Sequence, residues 1–302
     1  MKKFIALLTA LGLMLSFAAC SKTAQEEPQV LATQMDENEI GELEEELFGN
    51  GSESTPTTEA GDKTQNSETD QSTSAATDET TTAAPSGVLS DNPAEWTTEQ
   101  IVKYYRLAAA KSTNVTSKKT MVMKELSVNG GDGVLATFVD MATPLLKNAL
   151  ANNSTEFTGI TGGYANLVPS DVKTAKAYKS GNYTVIEMTL VEQVDGAHGK
   201  ENEGTVGHGI SVVGDLAIVE ENLPMFDIDF ENADIKIRYS NPTIKVKINN
   251  KTHQIEKGTW SYDVNVDLAN LFIQNNKIAA FKADIKSGNG SVAFDVTVGG
   301  GF

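Results

Sequence analysis

Alternation of apolar and polar residues dominates the second half of the chain. Residues 235–239 and 244–248 place apolar side chains between charged ones, and residues 260–267 repeat the pattern with a tryptophan and a tyrosine. Polar clusters at 240–242 and 249–251 are typical of turns between such segments. The pattern therefore predicts antiparallel strands joined by short turns, with one buried and one solvated face.

Four further segments have the spacing of strands. They lie at 115–128, 183–191, 278–285 and 292–298. The cluster Gly288, Asn289 and Gly290 separates the last two. We expect this cluster to form a turn that joins two separate strands at the end of the chain.

Helical periodicity precedes most of the strands. Thr97 followed by Gln100 matches a capping box, and apolar residues recur at helical spacing after it. Residues 134–151 show the clearest amphipathic pattern, with Pro144 as the expected position of a kink. The prediction is a single α+β domain at 93–302, with N-terminal helices packed on a curved antiparallel meander. It is either two-layered or half-barrel-like.

A secretory signal occupies residues 1–19. Lys2 and Lys3 precede an apolar run at 4–17, and small residues follow that run. This run is too short, and wrongly flanked, for a membrane-spanning helix. The pattern predicts a protein exported from the cell.

Phe17, Ala18, Ala19 and Cys20 resemble the lipobox of bacterial lipoproteins. The resemblance implies cleavage before Cys20 and a lipid, palmitate among its fatty acids, on that cysteine. Two or more acyl chains anchor a protein stably, since each buried CH₂ contributes about 0.8 kcal/mol. We expect anchoring at the extracellular face of the cell membrane; the alternative is a plain secreted protein. Cys20 is the only cysteine, so the acylated protein has no thiol for disulfides or redox chemistry.

Residues 20–92 differ in composition from the rest of the chain. From 21 to 92 there are 17 acidic residues and two lysines, a net charge of −15, which leaves −4 for residues 93–302. Such a segment has too little apolar surface to offset its ordering entropy. We expect a disordered acidic tether with a root-mean-square span of about 45 Å.

One part of this tether has helical periodicity. Ile40, Leu43, Leu47 and Phe48 would share one face of a short acidic helix. We expect a transiently helical spacer, and the alternative is a docking motif that folds on a basic partner.

The best candidate for a ligand site is the glycine-rich segment 195–209. It contains two of the three histidines of the chain and three carboxylates: Asp195, His198, Glu201, Glu203 and His208. Imidazole and carboxylate ligands suit Zn²⁺ or Mn²⁺, and oxygen ligands alone suit Ca²⁺. The spacing matches no established motif, so a polar surface loop is the favoured interpretation and a metal site the alternative.

Catalytic motifs are not recognisable. There is no Gly-x-Ser-x-Gly elbow. Asp227 and Asp229 share one face of a predicted strand, where the alternation explains them as solvent-facing, and His253 is interpreted as a surface residue of a strand. We therefore expect no enzyme activity and no cofactor.

Nucleic acid is not an expected partner. A phosphate backbone needs a basic surface, whereas this domain is mildly acidic. The basic side chains of one predicted region form only a local strip beside acidic neighbours: Lys236, Arg238, Lys245 and Lys247.

Three short stretches are similar to uncharacterised surface lipoproteins of Clostridia-type Gram-positive bacteria. They are residues 91–96 (DNPAEW), 205–209 (TVGHG) and 258–262 (GTWSY). The similarity extends over most of 91–302 and implies a surface location without a mechanism. Half-barrel lipoproteins that carry lipids share the expected architecture, which is an analogy of fold alone.

These patterns favour a non-catalytic binding module for an apolar or amphiphilic ligand held between helices and sheet. Its motivation is a stripe that an ordinary core also explains: Met121, Met123, Phe138 and Met141. The alternative is a structural or adhesion role, in which the outer sheet face or the tether engages cell-wall polymer or another protein. A metal-assisted hydrolase using residues 195–209 is the third hypothesis.

Overall fold

The computed structural model describes residues 35–49, 88–130, 154–196, 204–211, 226–275 and 282–302. The signal segment, Cys20, most of the predicted tether and the amphipathic segment at 134–151 lie outside these residues. Within them, no helix has the length and hydropathy needed to cross a membrane.

The described residues form an α+β domain, as the sequence predicts. Its helices are α1 (Glu37–Phe48), α2 (Thr98–Lys111) and the short α3 (Thr205–Gly209). Single 3-10 turns lie at Pro93–Glu95, Tyr164–Asn166 and Pro169–Asp171. The strands are β1 (Thr116–Gly130), β2 (Ser154–Thr158), β3 (Val172–Ser180), β4 (Tyr183–Leu190), β5 (Gln193–Asp195), β6 (Phe226–Asp229), β7 (Asp234–Asn249), β8 (Ile255–Asn275) and β9 (Lys282–Val298).

All described strand pairings are antiparallel. The spatial order is β2-β1-β9-β8-β7-β4-β3, with β5 added beside β7 and β6 beside β8. Strands β7, β8 and β9 form the predicted meander, and β1 from the N-terminal half adds to its free edge. The meander prediction is therefore confirmed for the C-terminal strands, and the remaining order is set by long-range pairing.

The predicted turn at Gly288, Asn289 and Gly290 is wrong, because β9 continues through it as one strand. Gly288 lies opposite Leu268 of β8, and Gly290 lies opposite Val266. A Cβ at position 288 would come within 3.3 Å of the Leu268 side chain. Glycine here accommodates close packing, which a sequence cannot distinguish from turn formation.

The predicted turn at 240–242 is also wrong, because β7 is continuous from Asp234 to Asn249. The pairing with β8 shifts register between Ser240 and Thr243. Asn241 has a left-handed backbone with φ of 54°. The polar cluster that indicated a turn therefore forms a β-bulge, which absorbs extra residues without ending the strand.

Helix α2 covers one end of the apolar sheet face, which we call the inner face. The predicted capping box is confirmed: the Gln100 amide donates to Thr97 Oγ1 at 3.2 Å, and the Thr97 amide donates to Gln100 Oε1 at 3.0 Å. Tyr105 is fully buried, and its hydroxyl accepts a 2.8 Å hydrogen bond from the indole nitrogen of the fully buried Trp260. Between α2 and β8 the layers are thus joined by a filled core.

The prediction of an unstructured tether is wrong for residues 35–49. Helix α1 begins after Asp36, whose carboxylate accepts from the Glu39 amide at 2.8 Å, and ends at Gly49. It packs along α2 with Leu43 and Leu47 buried. The spacing of the apolar residues indicates a helix, but it does not indicate what the helix packs against. The partner is another helix of the same chain.

Candidate binding surface

The sheet face opposite α2, here called the outer face, carries polar side chains at alternate positions. Along β7, β8 and β9 the outward residues are partly or fully accessible, whereas their neighbours on the inner face are buried. Directly paired residues of adjacent strands point to the same face, so the register places outward side chains in rows across the sheet.

One such row consists almost entirely of hydroxyl residues, and we call it the hydroxyl row. Direct strand partners connect its six members, taken from β3 to β1: Thr174, Thr189, Thr243, Ser261, Asp295 and Thr120. The Thr243 and Ser261 hydroxyls are 2.8 Å apart and hydrogen-bonded. With neighbouring strands about 4.8 Å apart, the row extends about 24 Å across the sheet.

A second row beside it carries charges of both signs, and we call it the charged row. Its members, in the same order, are Lys176, Glu187, Lys245, Thr259, Thr297 and Lys118. Glu187 bridges Lys176 at 2.7 Å and Lys245 at 2.9 Å, and it accepts a hydrogen bond from Tyr178 Oη at 3.0 Å. The hydrogen bond from Lys176, with those from Lys245 and Tyr178, lowers the pKa of Glu187 to about 2.

Aromatic rings lie beside several members of the charged row. Tyr178 and Phe302 are among the exposed large side chains. Lys245 Nζ lies 4.1 Å from the centre of the Phe302 ring, and Lys247 Nζ lies 4.3 Å from that of Tyr183. These cation–π contacts orient the lysines and leave ring surface beside them accessible.

Two carboxylates occupy the middle of the outer face. Asp263 pairs with Lys124, and Asp295 lies in the hydroxyl row. Burial raises the pKa of the Asp295 carboxyl, with a further contribution from the nearby Asp263 carboxylate. The centre of the face therefore offers strong hydrogen-bond acceptors next to hydroxyls that both donate and accept.

This arrangement suits a ligand with many hydroxyl or amide groups. Ammonium groups donate, carboxylates accept, hydroxyls do both, and the two signs of charge are interleaved. A polyanion would meet the central carboxylates, and an apolar ligand would desolvate charged groups without pairing them. The chemistry therefore favours an extended, neutral polyhydroxyl ligand.

Two candidates for a metal site have other partners. His208 lies in α3, and its Nδ1 is 2.9 Å from Asp171 Oδ2, which also accepts from the Val168 amide. Asp195 is buried in β5 and accepts a 2.8 Å hydrogen bond from Gln193 Nε2. The Gln193 side-chain oxygen in turn accepts from the Val206 amide at 3.0 Å. These bonds hold α3 against β5 and the turn before β3.

The other three candidates, His198, Glu201 and Glu203, lie outside the described residues. Among the residues that are described, no three histidine, cysteine or acidic side chains form a group able to hold a metal ion. The expectation of a surface loop throughout 195–209 is wrong in part, because its last residues form α3 with Val206 fully buried.

The remaining sequence candidates have structural partners. Asp229 accepts hydrogen bonds from the backbone and side chain of Asn232 and so closes the turn after β6; the side chain of Asp227 lies outside the described residues. His253 is wrongly interpreted as a strand surface residue, because it lies in the β7–β8 turn with Nδ1 3.0 Å from Tyr104 Oη.

Along the basic strip of β7 the expectation of acidic neighbours on the next strand holds only in part, because Arg238 lies opposite Asn265 and Lys247 opposite Lys257. Lys236 is opposite Asp267 of β8, and Lys245 is opposite Glu187 of β4. Of the apolar stripe, Met121 and Met123 are buried in the core, whereas Phe138 and Met141 lie outside the described residues.

The hydroxyl row is the feature that sequence reasoning missed. Thr189 and Ser261 were predictable as solvent-facing from the alternation of their own strands, whereas Thr174 lies in β3, where no strand is predicted from the sequence. Their alignment depends on the register of six strands, and no pattern within one strand carries that register.

Comparison with family models, with curated proteins and with solved structures finds no match to this chain.

Proposed function

We propose that this chain is a lipid-anchored protein of the extracellular membrane face, and that its domain is a non-catalytic module that binds cell-wall polymer. The observation that carries the binding role is the outer face, where the hydroxyl row lies beside the charged row and its neighbouring aromatic rings. The lipobox-like residues ending at Cys20 support the anchor. The resemblance of residues 91–96, 205–209 and 258–262 to surface lipoproteins of Clostridia-type bacteria is consistent with that location.

The hypothesis of an apolar ligand places the binding site between α2 and the sheet. Because that interface is filled, the outer face is the better candidate for a binding site. Such a ligand needs space between helix and sheet, but Tyr105 and Trp260 occupy that layer and bond to each other. The outer face is accessible and already has paired charges and oriented hydroxyls. Adhesion to wall polymer, the alternative drawn from the sequence, is therefore the function that the geometry supports better.

Binding of an apolar ligand is the second candidate function, and one observation favours it. Met121 and Met123 of β1 lie opposite Phe294 and Val292 of β9 on the inner face. Methionine adapts its shape to irregular apolar partners. Native mass spectrometry of residues 88–302 purified from the host tests this candidate: a co-purified lipid supports it, and an unliganded mass removes it.

Co-sedimentation with purified, protein-free cell walls tests the main proposal. The mature chain is expected to bind, and the Thr189→Val plus Thr243→Val double variant to bind at least fivefold more weakly. Valine retains the shape and strand preference of threonine but removes the hydroxyl. Thr98→Val, at the exposed start of α2, is the matched control with unchanged binding. Equal binding by the double variant and the parent would contradict the assignment of the outer face.

The anchor has its own test. Mass spectrometry of the N-terminal peptide from membranes is expected to show acylated Cys20, and a Cys20→Ser variant is expected to appear in the culture medium. An unmodified Cys20 on membrane-bound protein would exclude the anchor and leave the wall-binding result unaffected.

A further inference from the structure

The interface between α1 and α2 combines apolar contacts with ion pairs. Leu43 and Leu47 are buried against the domain, and Phe48 packs on the rings of His253 and Tyr104, with centroids 4.8 Å and 6.2 Å away. Three ion pairs join α1 to the basic side of α2: Lys103–Glu46 at 2.5 Å, Arg106–Glu39 at 2.8 Å, and Lys111–Glu44.

The docked helix brings distant parts of the chain together. The Leu89 amide donates a 2.8 Å hydrogen bond to the Leu47 carbonyl oxygen, and Val88 lies beside Gly49. Gly49 and Val88, which flank the 38 residues from 50 to 87, therefore lie next to each other. While α1 is docked, these residues add nothing to the distance between Cys20 and the domain.

We infer that α1 is a releasable latch that sets how far the domain stands from the membrane. In the docked state only the 14 residues at 21–34 separate Cys20 from the domain, and they reach at most about 50 Å. After release, the 67 residues at 21–87 become available, with a maximum reach of about 220–240 Å. The membrane consequence rests on the proposed anchor at Cys20, whereas the docking itself does not.

The interface has the character of a reversible contact. The six charged side chains of its ion pairs retain partial exposure, between 18% and 44%. Such pairs weaken as salt concentration rises. The last turn of α1 has no basic residue, so the released helix keeps its acidic side chains uncompensated. Cationic surfaces and raised ionic strength are therefore expected to open the latch.

Energy transfer within the mature chain tests the latch without any membrane. Donor and acceptor dyes are placed on the native Cys20 and on a Lys251→Cys substitution in the exposed β7–β8 turn. A chain of 67 residues has about twice the root-mean-square span of one of 14. The parent is expected to show the short distance, and the Leu43→Asp plus Leu47→Asp variant a longer one, by up to about twofold.

The matched control adds the same two charges to the exposed side of α1. Asn38 is exposed, and no atom lies within 4 Å of a Cβ added at Gly41. An Asn38→Asp plus Gly41→Asp variant is expected to keep the short distance. Arg106→Glu is expected to lengthen it, and adding Glu39→Arg to restore it. An equal distance in parent and leucine variant, or failure of the reversed pair to restore docking, would overturn the latch.

A second experiment measures the distance between the domain and the membrane. The mature chain is coupled through Cys20 to maleimide lipid in a supported bilayer, and neutron reflectometry gives the distance of the domain from the bilayer. The leucine variant is expected to extend protein density beyond the limit of the parent. Because the coupling is chemical, this result is independent of acylation in the cell. Failure of the latch and failure of the proposed anchor are therefore distinguishable.

Discussion

Helices α1 and α2 are both short and amphipathic, but they are held in the molecule in different ways. Eight residues of α2 are buried, and its end is bonded to the first residue of β8, where Ser112 Oγ accepts from the Ile255 amide at 2.8 Å. Helix α1 has two buried leucines and bonds to α2 mainly through charges. The comparison separates a helix that is part of the core from one that is attached to its surface.

The largest expected effect tests whether α2 belongs to the core. Trp260→Ala removes the indole that bonds Tyr105 and should lower the free energy of unfolding of the domain by about 3–5 kcal/mol. Urea denaturation followed by circular dichroism measures the loss. Val122→Ala, at an exposed position of β1, should change stability by less than about 0.5 kcal/mol. Similar losses in both variants would show that the interface is not a packed core.

The next effect tests whether α1 is only attached. Leu47→Ala removes a fully buried side chain and should weaken docking by about 2–5 kcal/mol, enough to release the helix. Hydrogen exchange should then become fast at 37–48 and stay slow at 98–111. Glu45→Ala, on the exposed side of α1, is the control. A cooperative loss of protection in both helices would mean that α1 is an integral part of the core.

Matched changes at the helix N-caps sharpen the comparison. Asp36→Ala and Thr97→Ala each remove a side-chain acceptor for a backbone amide three residues on, a loss of about 1 kcal/mol. In α2 this loss should appear in global unfolding, because the helix melts with the domain. In α1 it should appear only as faster local exchange. A global effect of Asp36→Ala equal to that of Thr97→Ala would remove the distinction.

The smallest expected effect is a pH dependence of α1 docking through His253, which packs between the two helices. Burial, and then the neighbouring Lys111, lower its pKa from the ordinary value of 6.5, while Glu44 acts in the opposite sense. The packed imidazole thus favours the neutral form, and the released imidazole takes up a proton first. Docking should weaken as pH falls below about 6.5.

Dye-to-dye distance measured from pH 7.5 to 5.5 checks this expectation. A His253→Gln variant should show a flatter profile, because it has no imidazole to titrate at the interface. An equal response to pH in both chains would exclude His253 as the source of the dependence.

Sequence patterns were a good guide wherever a local rule was sufficient. The capping box of Thr97 and Gln100 was predictable because cap and acceptor are three residues apart. The alternation along β7 and β8 correctly assigned one face to the core. Local rules failed at residues 240–242, where polar residues form a bulge, and at 288–290, where a small residue allows close packing against Leu268. A turn and a bulge use the same residue types, so only the pairing distinguishes them.

By itself the sequence determined the α+β class, the two faces of the meander and the helical character of 37–48, because each depends on periodicity within one segment. Only the tertiary structure decided that β1 pairs with β9, that six strands align the hydroxyl row, and that α1 docks on α2 of its own chain. Those features depend on register and on contacts between residues far apart in the chain. The spacing of residues within a single element determines neither of them.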